Sequence, residues 1–281
     1  MPYGENVVTD GTSQKLPEYA NPPISEVACG VLFEPIAGLL NAYLGLLWEK
    51  YRAQYPICQE APPLMPTIEK FDGEEPNPQA VFDGTALLPR TWFVEAKQTG
   101  LVQIQRDRFL VNWRKMAQSD SYPRYHTVIQ NFRDGFTTFA EFIAEHQLGE
   151  IRPLQFELTY VNHIPQGEGW NSMADIGKLF PDFSWRDISS RHLPPLENID
   201  WNSSFVLPEK QGRLHARIQS AKRIEDDHKL IVLHLTARGI GNNPINEGMF
   251  QWFELARNWI VRGFADLTGE EVQKTVWRRT Q

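Results

Sequence analysis

Three polar side chains that could contact a ligand lie in one segment with strict alternation. Residues 154–165 read LQFELTYVNHIP, where apolar residues alternate with Glu157, Thr159 and, further on, His163. A period of two predicts a β-strand with one face in the core. A carboxylate, a hydroxyl and an imidazole on the other face offer both donors and acceptors. The segment therefore predicts a strand whose polar face contacts either water or a ligand.

A second segment repeats the alternation with cationic side chains. Residues 213–223 read RLHARIQSAKR and place Arg213, His215 and Arg217 on one side. With HKLIVLHLTARG, residues 228–239, they predict a β-hairpin. Guanidinium and imidazole groups beside a carboxylate give directional, partly cationic hydrogen bonding.

These six residues are our candidates for binding a ligand or a partner. The alternative is that the polar side of an antiparallel sheet faces only water. Candidate residues: Glu157, Thr159, His163, Arg213, His215 and Arg217.

Signatures of catalysis and of metal binding are weak. Glu157, His163 and His215 have the types of metal ligands, but the sequence holds no HxH, HExxH or CxxC spacing. The loop RGIGNNP holds only two of the glycines of a phosphate loop and lacks the Lys-Ser/Thr pair, and it predicts a turn with Asn246 as the cap of the next helix. We therefore predict no catalytic residue, no metal and no cofactor, and we lean towards a protein that is not an enzyme.

Composition limits the classes of partner. The chain has 281 residues, a net charge of −7 and a pI near 5.6, which gives no global electrostatic case for binding nucleic acid or an anionic membrane. Two cysteines make no disulfide framework, and neither a signal peptide nor a membrane-spanning stretch is predicted. A cytoplasmic protein is expected.

The order of predicted elements suggests a duplicated α+β fold. Residues 1–20 are predicted to be a flexible arm, and residues 21–281 a single domain with halves 21–150 and 151–281. Each half reads strand, helix, three strands, long helix, which predicts a pseudo-duplicated antiparallel sheet with amphipathic helices packed on one face. The Pro-rich stretch 56–90 is predicted to be a long irregular connection. Predicted strands are 24–34, 91–98, 101–107, 108–115, 154–164, 204–209, 213–223 and 228–239, and predicted helices lie near 36–56, 123–147, 172–180 and 247–268.

Three stretches together resemble a family of uncharacterised, sporadically distributed bacterial proteins of about this length. They are LPEYANPPISEVACGVLFEPI near the N-terminus, FELTYVNHIP in the centre and WIVRGFADLTGEEVQKTVW near the C-terminus. The resemblance runs from about residue 16 to the end. It implies a bacterial, soluble protein, and the patchy distribution favours a role in phage defence or another accessory system. It implies no activity and no site residues.

Our leading hypothesis is a non-enzymatic binding or scaffold component of such a system, which uses the polar sheet face for recognition. The alternative is an enzyme or sensor that acts on a nucleotide or nucleic acid, with Arg213, His215 and Arg217 meeting phosphates. We expect a protein partner or self-association as a homodimer, because a sheet of this kind has exposed edges and symmetric dimers are common.

Overall fold

One antiparallel sheet organises the computed structural model, which describes residues 15–71, 90–183, 192–240 and 247–281. Within these residues the sheet has nine strands in the order β2-β3-β4-β5-β1-β6-β9-β8-β7. The α+β class and the large antiparallel sheet predicted from the sequence are confirmed. The strands are β1 Ile24–Phe33, β2 Ile57–Ala61, β3 Arg90–Val94, β4 Gly100–Gln105, β5 Arg108–Arg114, β6 Pro153–Pro165, β7 Asp200–Val206, β8 Arg213–Lys222 and β9 Lys229–Gly239.

The described residues also form five α-helices, of which two are long. No described helix has the length and apolar character needed to cross a membrane. The helices are α1 Asn41–Tyr51, α2 Tyr125–Glu145, α3 Ile176–Leu179, α4 Glu247–Leu267 and α5 Glu270–Thr275.

Strand β6 lies next to β1 and β9 in the middle of the sheet. Its apolar residues Phe156, Leu158 and Tyr160 are buried, as the alternation predicts. The ring of Phe156 packs against Trp252 and Phe253 of α4, with centroids 5.6 and 6.0 Å apart. The core side of β6 is therefore closed by the helix that follows β9 in the chain.

Helix α2 packs on the same core through a stripe of aromatic residues. Phe132 and Phe139 are fully buried and lie seven positions apart, on one side of the helix. Phe139 stacks on Phe33 of β1, and Phe132 meets Phe253 of α4 at a centroid distance of 5.1 Å. Gly135 allows the close approach, since a Cβ there would lie 3.2 Å from the Phe109 ring.

The chain divides into two compact units. Of the described residues, the larger comprises 23–71, 90–166, 197–240 and 247–260 and contains the strands of the sheet. The smaller comprises 15–22, 167–183, 192–196 and 261–281. In the smaller unit the Tyr19 hydroxyl donates a hydrogen bond to Gln273, at 3.0 Å, and its ring lies against Phe264.

Several boundaries differ from the sequence predictions. Residues 57–61 of the Pro-rich connection form edge strand β2 rather than irregular chain, and α5 was not predicted. The strand predicted at 204–209 begins at Asp200 and ends at Val206. Residues 1–14 of the predicted arm, 72–89 of the Pro-rich connection and the predicted cap Asn246 lie outside the described residues.

Candidate functional site

The strand register places the candidate residues on one face of the sheet. Glu157 of β6 is opposite Arg238 of β9, which is opposite Arg213 of β8. Thr159 is likewise linked through Thr236 to His215. Because directly opposed residues share a face, these rows lie on the side of the sheet opposite Phe156 and Leu158. We refer to this side as the polar face.

Arg213 and His215 converge on one carboxylate from outside the sheet. The Arg213 guanidinium donates to Glu69, and His215 Nε2 lies 2.6 Å from Glu69 Oε1. The Glu69 side chain is only 5% exposed. Burial acts to raise the pKa of Glu69, but hydrogen bonds and charge from His215 and Arg213 outweigh it and hold that pKa below the ordinary value. The carboxylate is therefore held in its charged form.

Glu69 belongs to an extended stretch of chain that lies across the polar face. We name residues 62–71 the crossing segment. The amide of Gln105 in β4 accepts from the Leu64 N–H and donates to the Leu64 carbonyl, at 2.9 and 3.0 Å. Gln155 in β6 accepts from the N–H of Glu69 and donates to the carbonyl of Thr67, at 2.8 and 2.7 Å.

Both glutamine side chains direct their amides at the main chain of the crossing segment. Gln105 and Gln155 are 0% and 1% exposed, so their hydrogen bonds replace contacts with water. At the far end, the Phe71 ring lies beneath the Arg213 guanidinium, 4.9 Å from the centroid, and Arg213 also donates to the Lys70 carbonyl. The sequence led us to expect a polar face that is open to water or a ligand. In the structure, this face instead holds a segment of the same chain.

The polar face carries two arginines at directly opposed positions of neighbouring strands. Arg213 and Arg238 are directly opposed in β8 and β9, an arrangement that is unfavourable for like charges. Each has its own carboxylate: Glu69 for Arg213, and Glu157 for Arg238 at 2.6 Å. Sheet residues supply one of these carboxylates and the crossing segment supplies the other.

The remaining candidates make separate contacts. Thr159 exchanges a hydroxyl hydrogen bond with Thr236 at 3.0 Å. Arg217 forms a two-point pair with Asp200 of β7, at 2.8 and 3.1 Å, in an exposed position. The main-chain N–H of His163 donates to the Pro23 carbonyl. The structure therefore joins Arg213 and His215 in one contact but leaves His163 and Arg217 outside it.

Two histidines lie close together further along the polar face. Partial burial, together with positive charge from Arg223 and Lys115, lowers the pKa of His163. Partial burial, with charge from Arg217 and His163, lowers the pKa of His234. Both shifts favour the neutral form of the imidazole. Among the residues that the structure describes, no three metal-ligating side chains are grouped to hold an ion.

A chain of hydrogen bonds crosses the other half of the polar face. Arg90 of β3 donates to Gln103 of β4, which donates to Asn112 of β5, at 2.9 and 2.6 Å. Asn112 in turn donates to Glu26 of β1 at 2.5 Å. Burial raises the pKa of Glu26 despite this bond and the nearby Arg114. Gln103 and Asn112 are buried, so their amide hydrogen bonds join the strands of this half to one another.

Sequence reasoning missed the partners of the candidate residues. His234, Thr236 and Arg238 lie two positions apart on one face of β9. The same alternation that identified the β8 residues could therefore have identified Thr236 and Arg238. Glu69, in contrast, lies in a Pro-rich stretch without periodicity, 144 positions from Arg213. No local signal connects the two.

Comparisons of the chain with protein-family models, with curated proteins and with solved structures found no match.

Proposed function

We propose that this protein is a non-enzymatic binding protein that holds an extended, acidic segment of a partner protein across the polar face. The observation that supports the proposal is the crossing segment, which is bound in that way by side chains of the sheet. In this proposal, the crossing segment stands in for the partner until the partner displaces it.

The contacts divide into two kinds with different roles. Gln105 and Gln155 each make one donor and one acceptor contact with main-chain groups, and main-chain groups are common to all peptides. They would hold an extended chain of almost any sequence. Arg213 and His215 contact a side-chain carboxylate, and charge-assisted hydrogen bonds of this kind are strong and directional. They would select an acidic residue at one position.

Electrostatics favours a carboxylate as the group recognised. Without Glu69, the opposed pair Arg213 and Arg238 would share the single carboxylate of Glu157. The vacated site would then carry excess positive charge at partly buried positions, which is unfavourable unless an anion enters. A partner with an aspartate or glutamate in an extended stretch meets this requirement.

The strand order and the helices behind the sheet agree with the duplicated fold that we propose. The order β5-β1-β6-β9 puts the first strand of each half side by side in the middle of the sheet. Phe139 of α2 and Phe253 of α4 contact β1 and β6 on the side opposite the polar face. Helices on one side leave the other side for recognition, and the resemblance to sporadically distributed bacterial proteins suggests a defence or other accessory role.

The test is a competition between the crossing segment and a peptide added in trans. A fluorescent peptide with the sequence of residues 62–71, PPLMPTIEKF, is titrated into the unchanged chain and into Glu69→Ala. The variant loses the internal carboxylate, so we expect it to bind the peptide at least about tenfold more tightly, because a tethered competitor acts at high effective concentration. The peptide in which the residue matching Glu69 is replaced by glutamine should bind weakly.

Two controls make the result specific. Glu69→Ala combined with Arg213→Ala should lose the preference for the glutamate peptide while melting at a similar temperature to Glu69→Ala alone. Equal binding of the glutamate and the glutamine peptides would contradict the proposal. Preferential binding of a nucleotide or an oligonucleotide over the glutamate peptide would instead support the alternative function and overturn this one.

A further inference from the structure

Strand β7, Asp200–Val206, is the last strand of the sheet on the β8 side among the residues that the structure describes. It is exposed along most of its length, and Phe205 and Val206 remain 43% and 56% exposed. Natural proteins guard such edges with lysine, proline or a bulge, because an open edge can pair with another strand. The strand DWNSSFV contains no lysine and no proline, and its pairing with β8 is regular.

The hydrogen bonds at its two ends show which main-chain groups point away from β8. Ser220 N–H donates to the Ile199 carbonyl, and Leu207 N–H donates to the Gly212 carbonyl, both at 2.9 Å. In an antiparallel ladder, hydrogen-bonded and non-hydrogen-bonded pairs alternate. The odd-numbered residues of β7 therefore direct their main-chain N–H and C=O groups towards β8. The even-numbered residues direct theirs away from β8. These are Asp200, Asn202, Ser204 and Val206.

We propose that β7 pairs antiparallel with β7 of a second copy of this chain, about a two-fold axis at Ser203. In this register Asn202 faces Ser204 of the second copy and Asp200 faces Val206 of the second copy. All four positions carry outward main-chain groups. The Asn202–Ser204 pairs and the Asp200–Val206 pairs would therefore each form two main-chain hydrogen bonds between the copies. The surface is complementary to itself, as a two-fold interface requires.

The side chains also fit this register. On the polar side, each Asp200 is opposite a valine, so no like charges are directly opposed. On the other side, the exposed Phe205 ring is opposite Trp201 of the second copy, and aromatic pairs across strands are favourable. Self-pairing would cover the apolar surface of Phe205 and Val206 that the single chain leaves open to water.

The opposite edge of the sheet offers a matched comparison. Strand β2, Ile57–Ala61, is also an edge strand, but Pro56 precedes it, Pro62 and Pro63 follow it, and it carries Glu60. These are the features that discourage edge pairing. Substitutions in β2 therefore serve as controls for substitutions in β7.

The decisive test is a symmetric cross-link at the proposed axis. In a Cys58→Ser background, which removes the exposed thiol, Ser203→Cys puts one thiol at the centre of β7. Opposed residues of a non-hydrogen-bonded pair have Cα atoms about 4.5 Å apart, which lies within the range that a disulfide spans. With oxidised glutathione as the oxidant, Ser203→Cys should form a disulfide dimer. Ser204→Cys, whose partner position is Asn202 of the second copy, should form little disulfide-linked dimer.

Sedimentation of the full chain supplies the second measurement. The unchanged chain should be a dimer at micromolar concentration, Asn202→Pro should be a folded monomer, and Gln59→Lys in β2 should remain a dimer. Proline at position 202 removes an outward N–H and leaves the ladder with β8 intact. A monomeric unchanged chain, a dimer that survives Asn202→Pro, or equal cross-linking of the two cysteine variants would each overturn the proposal.

Discussion

Glu69 is the residue on which the polar face most depends. Its carboxylate contacts Arg213 and His215 in a buried position, whereas the Asp200 and Arg217 pair on the same face is exposed. Exposed ion pairs contribute little to stability, commonly about 0–1 kcal/mol. Removing one partner of a buried pair costs more, because the other charge stays behind without compensation. The two pairs should therefore respond very differently to substitution.

Acid should reduce the stability that the contact of Glu69 contributes. The pKa of Glu69 in the folded chain lies below its ordinary value of 4.5. A group with a lowered folded pKa contributes its stability above the ordinary pKa and loses it as pH falls through the folded pKa. We therefore expect the free energy of unfolding to decrease below about pH 4.5, measured by chemical denaturation at several pH values.

The variant Glu69→Gln should reduce that decrease, because its amide does not titrate. At pH 7 it should cost about 1–3 kcal/mol, the range for an unsatisfied or weakened buried polar contact. Glu60→Gln, at an exposed position of β2, is the matched control and should change stability by less than about 0.5 kcal/mol. An identical pH dependence in Glu69→Gln and the unchanged chain would show that Glu69 contributes nothing to it.

At the scale of elements, β6 connects the core to the polar face. Phe156 and Leu158 have no exposed surface, and Phe156 contacts two rings of α4. Phe156→Ala should cost about 3–5 kcal/mol and Leu158→Ala about 2–5 kcal/mol, through lost burial and the cavity that remains. Thr159→Ala, on the other face of the same strand, should cost only about 1 kcal/mol. Urea denaturation that ranks Thr159→Ala with the two core variants would contradict this assignment of faces.

The sequence predicted most of these elements because their patterns are local. Period two in β6, β8 and β9 and the aromatic stripe of α2 each depend on neighbouring residues alone. Strand β2 was missed because ICQEA is short and lies between prolines, and α5 because six residues give almost no periodic signal. Burial then confirmed Phe156, Leu158 and Tyr160 as core residues.

The contents of the polar face could not be predicted in the same way. The side of the sheet on which Glu157 and Arg213 lie follows from alternation, and the register agrees with it. Which group each side chain meets depends on where a Pro-rich stretch without periodicity crosses the sheet, and that is set by the tertiary fold. For this reason, the sequence predicted Arg213 and His215 as contacts of a ligand or partner, but it did not identify Glu69 as the group that they bind.

At the scale of the whole molecule, the smaller unit is built from segments far apart in the sequence. Asn21 N–H donates to the Trp277 carbonyl, and Gly269 N–H donates to the Leu179 carbonyl, at 3.1 and 2.8 Å. Gln273, which is 1% exposed, donates to the Thr268 carbonyl and accepts from Tyr19. Each segment supplies hydrogen-bond partners for another, so disturbance of one should loosen all three.

Gly269→Ala tests this dependence. A Cβ at Gly269 would lie 2.1 Å from the Lys178 carbonyl oxygen, a main-chain atom that cannot rotate away. We expect a loss of about 1–3 kcal/mol from the forced shift. Hydrogen exchange should then show reduced protection in 15–22, 170–180 and 264–281 together, because they belong to one compact unit.

Gly45→Ala in α1 is the control, since nothing lies within 4 Å of a Cβ there and alanine should stabilise the helix by about 0.5–1 kcal/mol. Faster exchange confined to the neighbourhood of Gly269, or spread evenly through the nine strands, would show that the three segments do not open as a unit.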